Sequence, residues 1–302
     1  MIETSAGPRR LGVMYLRDQP PEQLIEFARA AEACGADDLW VVEDLTWAGG
    51  VSSAASALAV TSSLRVGIGI TPAPLRNPAL LAMELATLAR MHPGRLVAGI
   101  GHGVPEWMDQ VGAGTRQRLA LLEETIAAVR GLLNGERVTI DGSTVHIDGV
   151  QLVHPPHVVP PIIAGVIGPR SLELAGRIAD GTLVVEGRGP REIAAIHALV
   201  EKGRASGDLA ADRPHELYNF AMLCLDEDPE RLRTTLSPML DAYSQMLGVP
   251  RDEVFAAAGG PADVAARVHE LWDAGIGTVI LRPVGDDPLG QLAGTVEALR
   301  KS

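Results

Sequence analysis

His102 is the residue whose setting most suggests chemistry. It lies in GRLVAGIGHGVPEWMDQVGAG, Gly94 to Gly114, where an apolar run breaks into glycines. A histidine titrates near neutral pH and can serve as acid or base beside a ligand. Gly101 and Gly103 flank it and let backbone or ligand come close. The plainer reading is a capped or hydrogen-bonded loop histidine. Glu43 and Asp44 are adjacent carboxylates after an apolar run. Strand neighbours point to opposite faces, so one of them is expected to face a ligand and the other to cap or pair. Gly168-Pro169 opens a helical pattern and is followed by Arg170. Unused N–H groups and the dipole at a helix start suit a phosphate, and Arg170 adds charge. Arg282 ends another apolar run and fits either an anionic substrate or a salt bridge. Trp47 and Trp107 follow such runs, and with Tyr15 they are candidates to line an apolar substrate pocket or simply to pack.

Other chemistries find little support. No HExxH or HxH spacing marks a metal, so His146, His154 and His157 read as structural or exposed, and no metal is expected. There is no GxSxG elbow. The lysines are Lys202 and Lys301, both away from strand ends, which argues against a Schiff-base aldolase. GxGxG without a strand–helix phosphate loop is not a dinucleotide fingerprint.

These residues need elements to hold them. Strand-length apolar runs alternate with helix-period segments along the chain. RRLGVMYL, DDLWVVED, LRVGIGITP, RLVAGIGHG, PPIIAGVIG, TLVVEG, ELYNFAMLCLDED and TVILRPV read as eight strands. PPEQLIEFARAAEACG reads as a helix started by prolines and stopped by Gly35, with Leu24, Phe27, Ala28 and Ala31 on one face. Asn77 and Pro78 open another. PERLRTTLSPMLDAYSQMLGV is helical but expected to break or restart near Pro238. The rhythm fails once, at residues 136–158, where two Asp-Gly turns suggest an inserted antiparallel hairpin after the fourth helix. Eight apolar strands separated by helices predict an α/β fold, a (β/α)8 TIM barrel, with residues 1–302 as one domain. An open doubly wound sheet is the runner-up. In such barrels the site lies in the loops after the strands, where the residues above fall.

The chain has 302 residues, 46% hydrophobic and 21% charged, with a net charge of −12. The acidity argues against nucleic acid or an anionic membrane as partner. Two cysteines, Cys34 and Cys224, make no disulfide framework and point to a reducing cytoplasm. The N-terminus reads poorly as an export signal. No apolar run approaches the ~20 residues of a membrane span.

The ordered set AEACGADDLWVVED, RVGIGITPAPLRNPALLAMELATL, GRLVAGIGHGVPEWMDQVG, PPIIAGVIGPRSLELAGRIADG and GTVILRPVGDD resembles the bacterial luciferase-like flavin- or deazaflavin-dependent oxidoreductases. It is most similar to the branch that uses coenzyme F420, which includes methylenetetrahydromethanopterin reductases and F420-dependent glucose-6-phosphate dehydrogenases. The resemblance implies a barrel, usually dimeric, with a flat tricyclic ring in its mouth. A bulge with a cis non-prolyl bond would back the ring, here at Gly69–Ile70 with Thr71 next. The family's strand-two carboxylate matches Glu43. Its phosphate loop matches Ile167, Gly168 and Pro169, with Val185, Glu186 and Gly187 at the following strand end. Where the sugar-phosphate dehydrogenases carry a glutamate thought to protonate the cofactor, this chain has His102. Pro105 and Asp44 replace a branch asparagine and histidine, which argues against glucose 6-phosphate as substrate.

The implied function is hydride transfer between F420 and a small organic molecule. Glu43 and His102 would handle protons, and Tyr15, Asp44, Trp47, Trp107 and Arg282 would shape the substrate pocket. The alternatives are an FMN-dependent monooxygenase fed by a separate flavin reductase, and a non-catalytic flavin- or deazaflavin-binding protein.

Overall fold

The computed structural model describes residues 9–207 and 213–302. Residues 1–8, the start of the stretch read above as unlike an export signal, lie outside the described residues. In chain order the elements are β1 (Arg10–Met14), α1 (Leu24–Cys34), β2 (Asp38–Val41), α2 (Gly50–Val60), β3 (Arg65–Pro72), α3 (Pro78–Met91), β4 (Leu96–Gly101), α4 (Pro105–Gln110) and α5 (Arg118–Leu133). Then come β5 (Val138–Asp141), β6 (His146–Val150), β7 (Ile162–Gly165), α6 (Pro169–Ile178), β8 (Gly181–Val184), α7 (Pro190–Arg204) and β9 (Glu216–Leu225). The chain closes with α8 (Pro229–Leu247), β10 (Ala256–Gly259), α9 (Pro261–Asp273), β11 (Thr278–Pro283) and α10 (Pro288–Lys301).

Eight parallel strands close on themselves in the order β9-β11-β1-β2-β3-β4-β7-β8, and β8 pairs back to β9. The barrel is therefore a TIM barrel, as the strand count predicts. Local chemistry explains the frame. Leu24, Phe27, Ala28 and Ala31 are the buried face of α1, and Gly35 ends it with φ 92°, a conformation that favours glycine. The Asn77 side chain accepts from Ala79 N at 2.9 Å and caps α3 ahead of Pro78.

Three elements differ from the sequence reading. α4 forms where a loop was expected; six residues are too few to show a helical period, although Pro105 and Glu106 are favoured first-turn residues. β10 adds a short ninth strand beside β9 in a segment of alanines and glycine. α8 runs unbroken through Pro238. Thr234 and Pro238 are exposed, so the carbonyl that loses its partner faces water. The expected hairpin is present as the antiparallel pair β5–β6. Its turn is tied to α5, because Glu124 accepts N–H bonds from Ser143, Thr144 and Val145 at 2.8–2.9 Å. Desolvation pushes the other way, but these bonds hold the Glu124 carboxyl down at about 2.

Inside the barrel, Trp40 is fully buried and meets Tyr218 and Phe220 at centroid distances of 5.5 and 5.8 Å. Its ring fills the space over Gly67, where a Cβ would lie 2.4 Å away. Below it, at the N-terminal ends of the strands, a polar network closes the floor. Arg65 donates to both oxygens of buried Asp38 at 2.8 and 2.6 Å and to Thr278 Oγ1 at 3.3 Å. Thr278 and Tyr218 in turn donate to Glu216 at 2.5 and 2.8 Å. The space left for ligands is at the other end.

Candidate active site

The C-terminal mouth holds a cavity of about 430 Å³ lined by Glu43, Asp44, Gly69, Ile70, His102, Gly103, Trp107, Ile167 and Gly168 among others. So β2, β3, β4, β7 and the segments after them bring together nine of the nineteen residues singled out in the sequence.

The floor of this cavity is a shelf built by β3. Its pairing with β4 shifts between Ile68 and Thr71, and the Gly69–Ile70 bond is cis, as the resemblance implies. Gly69 has no room for a side chain, because a Cβ would meet Phe220 at 2.7 Å. Ile70 occupies the cleft left by three glycines. A Cβ on Gly99, Gly101 or Gly165 would approach Ile70 side-chain atoms to 3.2, 3.0 and 2.3 Å. This answers why glycines crowd strand four. Their tightest limits are backbone carbonyls, since a Cβ on Gly99 would meet Ile68 O at 2.1 Å and one on Gly101 would meet Gly165 O at 2.6 Å, with Ile70 packed next, and Gly101 is buried rather than open to a ligand. Thr71 is 1% exposed and lies in the sheet, off the cavity.

His102 stands at the cavity wall. Its Nε2 lies 2.9 Å from Ser171 Oγ, and the ring also donates to the Arg118 backbone. Donation there leaves Nε2 as the acceptor in the neutral ring. Desolvation, and then the Arg118 charge, lower the imidazole pKa below its ordinary value. The ring is therefore neutral at pH 7.

The opposite wall is anchored by ion pairs. Both oxygens of Glu43 are engaged by Arg76, and Oε2 also accepts from Gly50 N at 2.9 Å. Glu43, expected to handle protons, thus accepts from three donors, two of them on Arg76. Asp44 pairs with Arg17 at 2.6 Å, and Arg17 lies 5.5 Å from the Trp47 ring. Trp107 lines the cavity, whereas Trp47 is 47% exposed at the rim.

At the start of α6, Gly168 is the N-cap with nothing within 4 Å of where a Cβ would lie. Helix geometry leaves first-turn donors such as the Arg170 amide unused. Arg118 lines the cavity nearby, and among the described residues no carboxylate lies within 4 Å of it. An open glycine, a helix start and an unpaired guanidinium fit a phosphate group. Pro169 and Arg170 are exposed beside the cavity rather than in its wall.

Several expected residues lie elsewhere. Tyr15 turns into the shell between barrel and α1, donating to Pro20 O at 2.6 Å and packing edge-on against Phe27. Gly187 forms a bridge with Phe255, at φ 83°, and Val185 and Glu186 are also off the cavity. Glu186, 5% exposed, faces Arg282 at 3.7 Å, and Arg282 donates to the Tyr243 hydroxyl at 3.3 Å. The residues the sequence did not single out are Arg118, Ser171 and Arg76. Ser171 sits one residue beyond Arg170 and could have been found as a first-turn hydroxyl; the two arginines carry no local signal.

The luciferase-like monooxygenase family model matches residues 5–301. The chain belongs to this family. It is 28% identical to a 5,10-methylenetetrahydromethanopterin reductase of Methanolobus tindarius, covering 91% of this chain and 94% of the relative. It is 29% identical to an F420-dependent glucose-6-phosphate dehydrogenase of Kineococcus radiotolerans, covering 95% of each. In structure it is similar to the coenzyme F420-dependent tetrahydromethanopterin reductase of Methanopyrus kandleri, with a TM-score of 0.85, 19% identity, and 98% and 99% of the two chains covered. That last likeness concerns the fold. The bulge, the shelf and the helix start on β7 thus belong to a family member, and no helix among the described residues is long and apolar enough to cross a membrane.

Proposed function

We propose that this protein is an oxidoreductase moving a hydride between coenzyme F420 and a small organic substrate. The observation that carries the reading is one cavity with the Ile70 shelf as its floor and the open α6 start at its edge. The two relatives named for F420 or a methanopterin substrate, aligned over more than nine-tenths of the chain, support it. When bound, F420 supplies the hydride chemistry, and the protein supplies position and electrostatics.

The chain's own residues divide that work. Ile70, backed by the three glycines, presents an apolar surface on which a flat ring rests. Gly168, the Arg170 amide and Arg118 hold the phosphate. His102, neutral at pH 7, holds the Ser171 hydroxyl and takes or gives a proton at Nε2. Glu43, ion-paired with Arg76, anchors the wall. Asp44, Trp47 and Trp107 shape the space for the substrate. We also assign the protein to the cytoplasm, and to a homodimer that the exposed apolar residues Leu80, Met83 and Met91 on α3 support.

The test is fluorescence quenching of F420 and of FMN on the apo-protein, with Gly168→Asp as the companion variant. F420 binding tighter than FMN, and lost when a carboxylate is placed at the helix start, is the expected result. Tighter FMN binding moves the assignment to a reductase-fed monooxygenase, and binding of neither overturns it.

A further inference from the structure

We infer that the substrate accepted over the Ile70 shelf is electrically neutral: an uncharged alcohol, carbonyl or similar organic molecule, not a carboxylate, phosphate or ammonium. The inference deepens the proposed hydride-transfer reading and rests on it for the word substrate. Its basis is the charge pairing of the mouth.

The ionisable groups in the cavity wall are Glu43, Asp44, His102 and Arg118. Three of them present no free charge. Glu43 is bound by Arg76, which also faces Glu84 on α3 at 3.3 Å. Asp44 is bound by Arg17 at 2.6 Å. His102 is a neutral ring bonded to Ser171. Off the cavity, at the ends of β8 and β11, the pattern continues. Arg282, the strand-end cation a sequence reading offers to an anionic substrate, faces Glu186 at 3.7 Å. Tyr243 lies within electrostatic reach of both Arg282 and Arg17, so the two pairs are neighbours. Among the described residues lining the cavities at this mouth, the guanidinium groups with no carboxylate within 4 Å are Arg116 and Arg118. Arg118 begins α5 and lines the cavity with Gly168, whereas Arg116 lies just before α5 and lines the adjoining cavity.

An anion on the paired side finds no unmatched cation. To gain one it must draw Arg282 away from Glu186, whose side chain is 7% exposed, and leave that buried carboxylate with the Tyr243 hydroxyl but no cation. A cation faces the same obstacle at Asp44 and Glu43. A neutral molecule disturbs neither pair and meets the apolar surfaces of Ile70, Val104 and Trp107. Charge pairing thus selects against ions of either sign, while the lone Arg118 remains for the cofactor's phosphate.

The test uses two near-isosteric probes, cyclohexanecarboxamide and cyclohexanecarboxylate. Calorimetry measures their binding to the F420-loaded protein and to apo-protein carrying Arg118→Met, which removes the one unpaired cation of the cavity wall and serves as the wild-type background of the apo series. The variants are Glu186→Gln, which releases Arg282, and Asp44→Asn, which releases Arg17. Wild type should favour the amide over the carboxylate by about tenfold or more, and each release should move that ratio toward the carboxylate by about tenfold. Far-UV circular dichroism reports whether each variant is folded, and the wild-type ratio is decisive on its own if a variant is not. A wild type that takes the carboxylate as tightly as the amide, or a folded pair of variants whose ratio does not move, overturns the inference. Quenching of F420 fluorescence is a separate readout. Its failure removes the cofactor assignment while the charge preference of the pocket stands or falls on the probe ratio.

Discussion

The Ile70 shelf makes a quantitative demand on Gly165. An ideal Cβ at that position would lie 2.3 Å from Ile70 Cγ2, but 3.5 Å from Ile70 Cβ. The first distance is a clash and the second an ordinary contact. Gly165→Ala alone should therefore cost the ~1–3 kcal/mol typical of overpacking a close-fitting site. Ile70→Ala alone removes a half-exposed side chain and should cost about 2 kcal/mol, the low end of the range for truncating an isoleucine. In the double variant the offending Cγ2 is gone, so the alanine at 165 should add almost nothing. The double variant should then be less destabilised than the sum of the singles by about 1–3 kcal/mol, well beyond the ~0.3–0.5 kcal/mol seen between independent sites. Urea unfolding of the four proteins, extrapolated to water, measures this coupling. F420 quenching on the same four should show the single Gly165→Ala variant weakened, since its alanine pushes Ile70 toward the ring space. Additive stabilities would refute the placement of Ile70 against Gly165 of β7.

Two further outcomes follow from local conformation and titration. Thr46 sits at φ 75° in the turn closed by Trp47 N donating to Asp44 O at 3.1 Å, a position that favours glycine. Thr46→Gly should raise stability by roughly 1 kcal/mol, or about 2 °C in Tm; a lower Tm would contradict this. Desolvation, and then the Arg204 charge, depress His215 to about 4, where its ring meets Thr182 Oγ1 at 2.9 Å. The unfolded chain takes up this proton near 6.5 and the folded one does not, so stability is full above pH 6.5 and falls toward pH 4. The loss is roughly 3 kcal/mol by linkage. Unfolding curves across that window should flatten in His215→Gln, and an unchanged slope would reject the assignment.

What could be read from the sequence was what repeats at short range. The α1 face of Leu24, Phe27, Ala28 and Ala31, the Asn77 cap and the eight apolar runs each carry their signal within a few residues. The position of His102 at a strand end and the glycine at the α6 start were legible for the same reason. What escaped was pairing between distant segments. Nothing near Glu43 announces Arg76, nothing near Arg282 announces Glu186, and Tyr15 could as well have faced the mouth as Phe27. The glycines of strand four were visible, but their partner was not. Their purpose depends on the close approach of Ile68 O and Gly165 O from the two neighbouring strands, beside a bulge that local propensity does not encode. Segments too short to show a period, α4 and β10, were lost for want of signal length.

The sealed floor has a kinetic consequence. With Arg65, Asp38, Thr278 and Glu216 joined across the N-terminal end, the barrel is a cul-de-sac with a single door. Two molecules sharing such a space cannot come and go independently. The one that lies deeper, on the shelf, arrives first and departs last, and the one above it is the first to leave. On the proposed function, with the cofactor resting on the shelf beneath its substrate, the reaction would have a compulsory order. The deeper partner's rate of escape is set by how long its companion lingers, and an excess of the outer ligand traps the inner one.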